Sequence, residues 1–495
     1  VHYSRSLVNG KPFQSVADSI YLAHKSNNET DLKVGFISTL AAFFSASGGA
    51  SIGQYGPLVH FGTTLGAWLK KTVPFNFTPD LYIGAGVAAS ISSGFGAPLA
   101  GLIFAHEAIL RHYSHKSILA IATASGISYA VSTGIWGDTN IINVSSENFN
   151  LLLMLVISFL AGPIFGLIAI IYMKSLLLFA NLANSPKVKV FYKYSFCILS
   201  LSIIGHFMPE VMGLGTETVS GILYSSYTLI FLVIILLGKI IATSISLNFG
   251  FFGGVFSPAI LVGAAAGAVV SALLVTLGIF EDFQQALVIS GIAAVAGAVI
   301  GAPICMVIIV LELTNSYAYA LASLVGLAIS VGYVQVRFGS SYFDVQLLNR
   351  GIDISDGRTG LFMTETDILR FADPNFNTIK ESETVADAIS LMSKIDQSEL
   401  IVVNQSGEFV GKTNSLSLFN KQGPLSSVDV IDKDCVFIKH DASVQSAMEI
   451  ASDFVGEIIP IVQTDQNKAV AIITEGAIFQ AYLSKQSQTV EMEKR

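Results

Sequence analysis

Two glycine turns closed by proline, Gly53-Gln54-Tyr55-Gly56-Pro57 and Gly254-Val255-Phe256-Ser257-Pro258, stand 201 residues apart. Each runs into an apolar stretch, so each aims unpaired backbone N–H groups and the positive end of a helix dipole at one place. That arrangement favours an anion. No side chain in either turn carries a fixed charge, and a site of neutral donors holds an ion weakly enough to release it. Glu107 and Glu312 lie deep in apolar sequence, where an ionisable group is costly and therefore a candidate for function. Their matched places in a repeat favour a structural reading, as carboxylates that satisfy loop amides. His106, His112 and His115 have no further ligand at metal spacing and read as loop or interface residues. Lys239 has two readings, drawing anions towards the path or snorkelling to the membrane interface.

The repeat is what must position these residues. Gly86-Val87-Ala88-Ala89, Gly96-Ala97-Pro98 and Glu107 return as Gly291-Ile292-Ala293-Ala294, Gly301-Ala302-Pro303 and Glu312, each at a shift of 205. Apolar segments 149–183 and 227–248 are long enough to span a bilayer. Those around 33–52, 58–69, 79–95, 97–110, 254–270 and 284–314 are broken by Gly, Pro, Ser or a lone Glu. Broken backbone at membrane depth survives only against protein or a water-filled cavity, and paired breaks in two halves point to a ligand site between them. Tight packing of small residues is the alternative, but it does not explain matched prolines.

Composition agrees. Of 495 residues 52% are hydrophobic and 13% charged, with a mean hydropathy of +0.64, whereas soluble domains carry about 25% charged residues. Residues 361–495 hold 20 of the 35 acids and 11 of the 27 bases, which leaves the rest nearly neutral. A membrane body followed by an acidic, water-exposed domain is expected. The net charge of −8 without a basic tract excludes a nucleic-acid partner. Cys197, Cys305 and Cys435 have neither disulfide nor zinc spacing and read as packing residues. The opening Val1-His2-Tyr3-Ser4-Arg5 has no signal-peptide core.

In these motifs residues 5–350 resemble the CLC family of chloride channels and proton-coupled chloride transporters. Gly53-Gln54-Tyr55-Gly56-Pro57 is similar to its Gly-Arg-Glu-Gly-Pro, and Gly254-Val255-Phe256-Ser257-Pro258 to its Gly-Ile/Val-Phe-x-Pro. Phe95-Gly96-Ala97-Pro98-Leu99-Ala100-Gly101 and Leu311-Glu312-Leu313-Thr314 also fit. Val8-Asn9-Gly10-Lys11-Pro12 falls where the family has Gly-Ser-Gly-Ile-Pro, and Ser341-Tyr342-Phe343 where it has Ser-Ile-Tyr. The resemblance implies an all-α polytopic membrane domain of two inverted repeats over residues 1–355, a homodimer with one pore per subunit, and two or three family helices before Val1. It implies an anion site at Asn9, Gly10, Gly53, Gln54, Tyr55, Gly56, Gly254, Val255, Phe256 and Phe343, with Tyr342 in place of Phe343 if the alignment slips by one.

The departures set the expected mechanism. Tyr55 stands where the family has a gating glutamate, and Ala108 where its transporters have an inner proton glutamate. A phenol is neutral at pH 7 and cannot act as a carboxylate. Without both carboxylates, strict exchange of anions for protons loses its chemistry. Asn9 takes the place of a serine donor and Phe343 that of a tyrosine donor, so Tyr55 is expected to turn inward and offer its hydroxyl. A static Tyr55 plug is the alternative.

Beyond residue 360 the pattern becomes amphipathic helices and short apolar runs, and it repeats. Thr384-Val385-Ala386-Asp387-Ala388-Ile389 with Glu399-Leu400-Ile401-Val402-Val403 returns as Ser443-Val444-Gln445-Ser446-Ala447-Met448 with Glu457-Ile458-Ile459-Pro460-Ile461-Val462. This resembles an α/β tandem pair of CBS domains over 360–488, divided near 430, dimerising and cytosolic. Such pairs bind adenine nucleotides through a Thr and an Asp three residues on. Thr474 is present, but Ala477 holds the Asp place, and the first copy has Asn414 and Ser417, so the ribose contact is in doubt.

The reading is a chloride channel or uncoupled anion transporter in a plasma or bacterial inner membrane. It needs no cofactor and no catalytic residue. A proton-coupled antiporter with another proton path is its rival. A CBS-bearing divalent cation transporter would want converging carboxylates, and an intramembrane hydrolase a nucleophile with its base; neither constellation is visible.

Overall fold

A computed structural model describes residues 6–25, 30–73, 77–137, 149–185, 189–224, 226–278, 283–355 and 357–494. Val1–Arg5 and the side chain of His115 fall outside that set. The chain forms two units, Val1–Asp353 and Ile354–Lys494.

The first unit is helical: α1 (Val16–His24), α2 (Leu32–Ser47), α3 (Tyr55–Thr72), α4 (Pro79–Phe95), α5 (Pro98–Phe104), α6 (His115–Trp136), α7 (Leu151–Ala183), α8 (Val190–Phe207), α9 (Thr216–Leu223), α10 (Leu229–Phe249), α11 (Phe256–Thr276), α12 (Gln284–Ile300), α13 (Pro303–Thr314), α14 (Tyr317–Arg337) and α15 (Tyr342–Leu348). Among the described residues six helices are long and apolar enough to cross a membrane. The breaks fall where the sequence places them. Gly96 and Gly301 end α4 and α12 at φ 69° and 78°, and Pro98 and Pro303 open the next helix, a position that needs no N–H. After α5 the backbone widens to a π-helix over Ala105–Leu110.

The two halves pack alike. A Cβ on Gly62 of α3 would collide with the Gly86 carbonyl of α4, and one on Gly263 of α11 with the Gly291 carbonyl of α12. Backbones that close leave room only for glycine. Across the halves the contacts are exchanged. Glu107 accepts from the Ile304 and Cys305 amides at 2.9 and 2.7 Å, while Glu312 accepts from the Leu99 and Ala100 amides at 2.8 Å each. A contact of i with j mirrored by j with i is the mark of a two-fold relation.

The second unit opens with α16 (Gly357–Glu365) and contains two three-stranded sheets. In the first, β1 (Thr378–Lys380) runs parallel to β2 (Glu399–Val403), which pairs antiparallel with β3 (Phe409–Asn414). The second repeats this with β4 (Ile438–Lys439), β5 (Ile459–Gln463) and β6 (Lys468–Ile473). Each carries a register shift at the matched place, Val402/Val403 and Ile461/Val462. Ile401, Val403, Ile458 and Ile472 form one buried cluster joining the two motifs.

Candidate anion pathway

The centre of the first unit is an antiparallel bridge. Gly53 N–H donates to the Gly254 carbonyl at 2.7 Å and Gly254 N–H to the Gly53 carbonyl at 2.8 Å. Repeat-matched residues that pair with each other lie on the two-fold axis. No side chain fits there: a Cβ on Gly53 would stand 2.9 Å from the Gly254 carbonyl oxygen, and one on Gly56 2.9 Å from the Gly254 Cα. The Gly53 and Gly254 N–H groups are thus engaged with each other's carbonyls. The helices start just beyond, α3 at Tyr55 and α11 at Phe256, each with proline at its third position. Proline removes one orphan donor. The N–H groups of Tyr55, Gly56, Phe256 and Ser257 meet no protein acceptor among the described residues.

Two cavities flank these starts. One of about 140 Å³ is lined by Gly56, Gly254, Val255, Tyr342 and Phe343, with Ser15, Gln346 and Arg350 at its polar side. Another of about 700 Å³ is lined by Gln54, Tyr55, Thr216 and Glu217. Tyr55 lines the wider cavity and is absent from the narrower one. Its ring, 2% exposed, lies flat on Phe95 at 3.6 Å and edge-on to Phe256 at 5.4 Å. Tyr342 and Phe343 line the narrower cavity together. Tyr342 Oη accepts from the Gln346 amide at 3.1 Å, which leaves Gln346 Oε1 buried without a partner.

Asn9 and Gly10 are elsewhere. They form a turn of positive φ, 54° and 74°, and Gly10 lines a separate cavity with Lys193 and Tyr194. The serine at the narrower cavity is Ser15. It stands at the start of α1, where the Asp18 carboxylate accepts its N–H at 2.7 Å and its hydroxyl at 3.1 Å. Arg350 donates to the same carboxylate at 2.8 Å and brings a cation to the cavity. The missed signal was a serine followed three residues later by an acid, ahead of an apolar run, which is a helix-start pattern.

The remaining candidates hold structure together. Glu107 and Glu312 each cap the other half's helix, so neither faces a cation. Lys239 is fully buried and donates to the Val211 and Gly213 carbonyls at 3.0 and 2.9 Å; it does not reach the interface. It fixes the loop that leads into α9. Ala108 is buried within the π-helix and offers no proton carrier. His106 Nδ1 bonds to the His112 carbonyl at 2.8 Å, and His112 lies 3.6 Å from Asp80, so these rings do not converge on one point. All three cysteines are free and buried. In the second unit the Thr474 hydroxyl accepts the Ala477 amide at 3.2 Å, and Asn414 accepts the Ser417 amide at 2.8 Å. Both positions act as helix caps.

The comparisons with known proteins point one way. The voltage gated chloride channel family matches residues 7–335, and the CBS domain matches 364–411 and 427–484. An H(+)/Cl(-) exchange transporter of Vibrio parahaemolyticus is 26% identical over 331 residues, 64% of this chain and 69% of the relative. Chloride channel protein CLC-f of Arabidopsis thaliana is 24% identical over 481 residues, 92% of this chain and 58% of that one. The fold is that of a slow cyanobacterial Cl-/H+ antiporter, with a TM-score of 0.63, 18% identity, and coverage of 70% of this chain and 84% of that structure. A eukaryotic CLC transporter superposes over 93% of this chain and 84% of its own at a TM-score of 0.58 and 17% identity. With its matched halves, exchanged glutamate caps and paired helix starts, this multi-pass membrane protein belongs to the CLC, or voltage gated chloride channel, family and carries a CBS pair at its C-terminal side.

Proposed function

We propose that the chain moves chloride and similar monovalent anions across a membrane without a fixed proton stoichiometry. The observation that carries this reading is the meeting of two helix starts with free N–H groups, beside Tyr55 where a titrating carboxylate would stand. Neutral N–H donors at helix starts favour an anion and bind it loosely. A phenol at Tyr55 and an alanine at 108 supply no proton carrier at neutral pH. Tyr55, packed between Phe95 and Phe256, stands as the barrier between the two cavities.

The reading extends to a homodimer with a CBS pair in the cytosol. ATP there would meet helix caps at Thr474 and Asn414 and no ribose-binding acid.

Coupled exchange is the second reading, favoured by the similarity to the Vibrio H(+)/Cl(-) exchange transporter. One experiment separates them. Liposomes carrying the protein and a chloride gradient are followed with a chloride electrode and an external pH electrode. Chloride efflux with no stoichiometric proton uptake is expected. Proton uptake in constant ratio to chloride establishes exchange, and absence of any halide flux refutes both.

A further inference from the structure

The two cavities that flank the starts of α3 and α11 differ in charge. The narrower one has Arg350 at its polar side, paired with Asp18. The wider one is lined by neutral residues, Gln54, Tyr55, Ser93, Ser132 and Thr216 among them, and by a single acid, Glu217. Among the described residues no Lys, Arg or His lines it. Glu217 is exposed in the first turn of α9, and among the described residues it makes no hydrogen bond or ion pair. Lys239 does not line this cavity, because the Val211 and Gly213 carbonyls hold its ammonium beneath the loop that precedes α9. An anion that reaches Tyr55 from this side therefore passes a carboxylate without a counterion. An acid in the first turn also suits the dipole of α9, a role that bears on stability and leaves ion movement alone.

We propose that Glu217 is a charge filter at the wider mouth, whose carboxylate lowers the local concentration of anions and slows their entry from that side. Entry past Arg350, at the other end, carries no such unpaired charge. The filter deepens the reading of the chain as an anion conductor and rests on it. Like charges repel more strongly in a cleft with low-dielectric walls than in open water, and salt screens the repulsion. The filter is therefore strongest in dilute solution and is relieved as ionic strength rises.

Initial rates of chloride uptake into liposomes test this with the full chain. Glu217→Gln should raise the rate about two-fold or more at about 10 mM salt, where the Debye length is about 30 Å, and the gain should vanish near about 1 M, where it is about 3 Å. Glu217→Asp, which keeps the charge, should match wild type. Glu217→Cys separates charge from shape. A membrane-impermeant methanethiosulfonate added outside reaches only molecules whose wider cavity faces out, and wild type should not respond to it, because its three cysteines are buried. At low salt a sulfonate attached at position 217 should slow uptake, and a trimethylammonium group of similar size should speed it. Equal rates in wild type and Glu217→Gln, a gain that persists at high salt, or the same response to both reagents each overturns the filter and leaves anion conduction standing. Absence of chloride uptake in every variant, wild type included, overturns conduction itself.

Discussion

Tyr55 is held by its ring. Flat stacking on Phe95 and edge contact with Phe256 fix the phenol whatever its hydroxyl does. Tyr55→Ala should therefore join the two cavities and raise chloride efflux from liposomes about ten-fold or more; an unchanged rate would place the barrier elsewhere. At the narrower cavity, Arg350 and Asp18 oppose each other in charge. Arg350→Gln should slow efflux several-fold at low ionic strength and Asp18→Asn should speed it, with both effects shrinking in high salt as the charges are screened. Efflux measured across a series of salt concentrations checks the pair. At this scale the sequence was only partly legible. Tyr55 and Ala108 could be read because they interrupt strong motifs. Ser15 could not, since a helix start 40 residues upstream of Tyr55 is joined to the cavity only by tertiary packing, and Asn9-Gly10 offered a nearer pattern.

The exchanged caps are the elements most open to test. Each of Glu107 and Glu312 accepts two amides through its two carboxyl oxygens, and glutamine keeps one acceptor of the two. Glu107→Gln and Glu312→Gln should each cost about 1.5–3 kcal/mol, seen as a lowered melting temperature in detergent, and by symmetry the two losses should be alike. In the second unit, α17 (Val385–Ile395) begins with Thr384 and Asp387 capping each other. The Thr384 hydroxyl and amide hold the Asp387 carboxyl below its ordinary value. A depressed folded value means this cap supports the helix at neutral pH and is lost as pH falls through it. Hydrogen exchange should show Asp387→Asn less protected than wild type around residues 385–388 at pH 7, with the gap closing below about pH 4. Both features were written in sequence, as the glutamates of the 205-residue repeat and as the Thr384-x-x-Asp387 spacing. Which amides the glutamates would hold was not, because exchange across a two-fold axis leaves no trace in spacing along the chain.

Over the whole molecule, a membrane body and an acidic, water-exposed unit were legible in hydropathy and charge distribution together, since burying a spanning segment and solvating a surface demand opposite compositions. The tandem character of the second unit was legible because its helix-strand order recurs. Its ligand chemistry was not, for Thr474 serves as a cap whether or not a nucleotide binds. Adding ATP at about 1 mM is expected to leave the melting temperature unchanged, because a ligand stabilises appreciably only where its concentration exceeds its dissociation constant and then only as the logarithm of that ratio.

The two-fold exchange of glutamates also imposes an order on biosynthesis. Glu312 follows Leu99 by 213 residues. While the first half threads into the bilayer, the amides of Leu99 and Ala100 have no permanent partner, and lipid tails cannot stand in for one. A nascent chain stalled before Glu312 should remain open to protease, and one long enough to include it should become resistant. Maturation of the earlier half thus waits on translation of the later one.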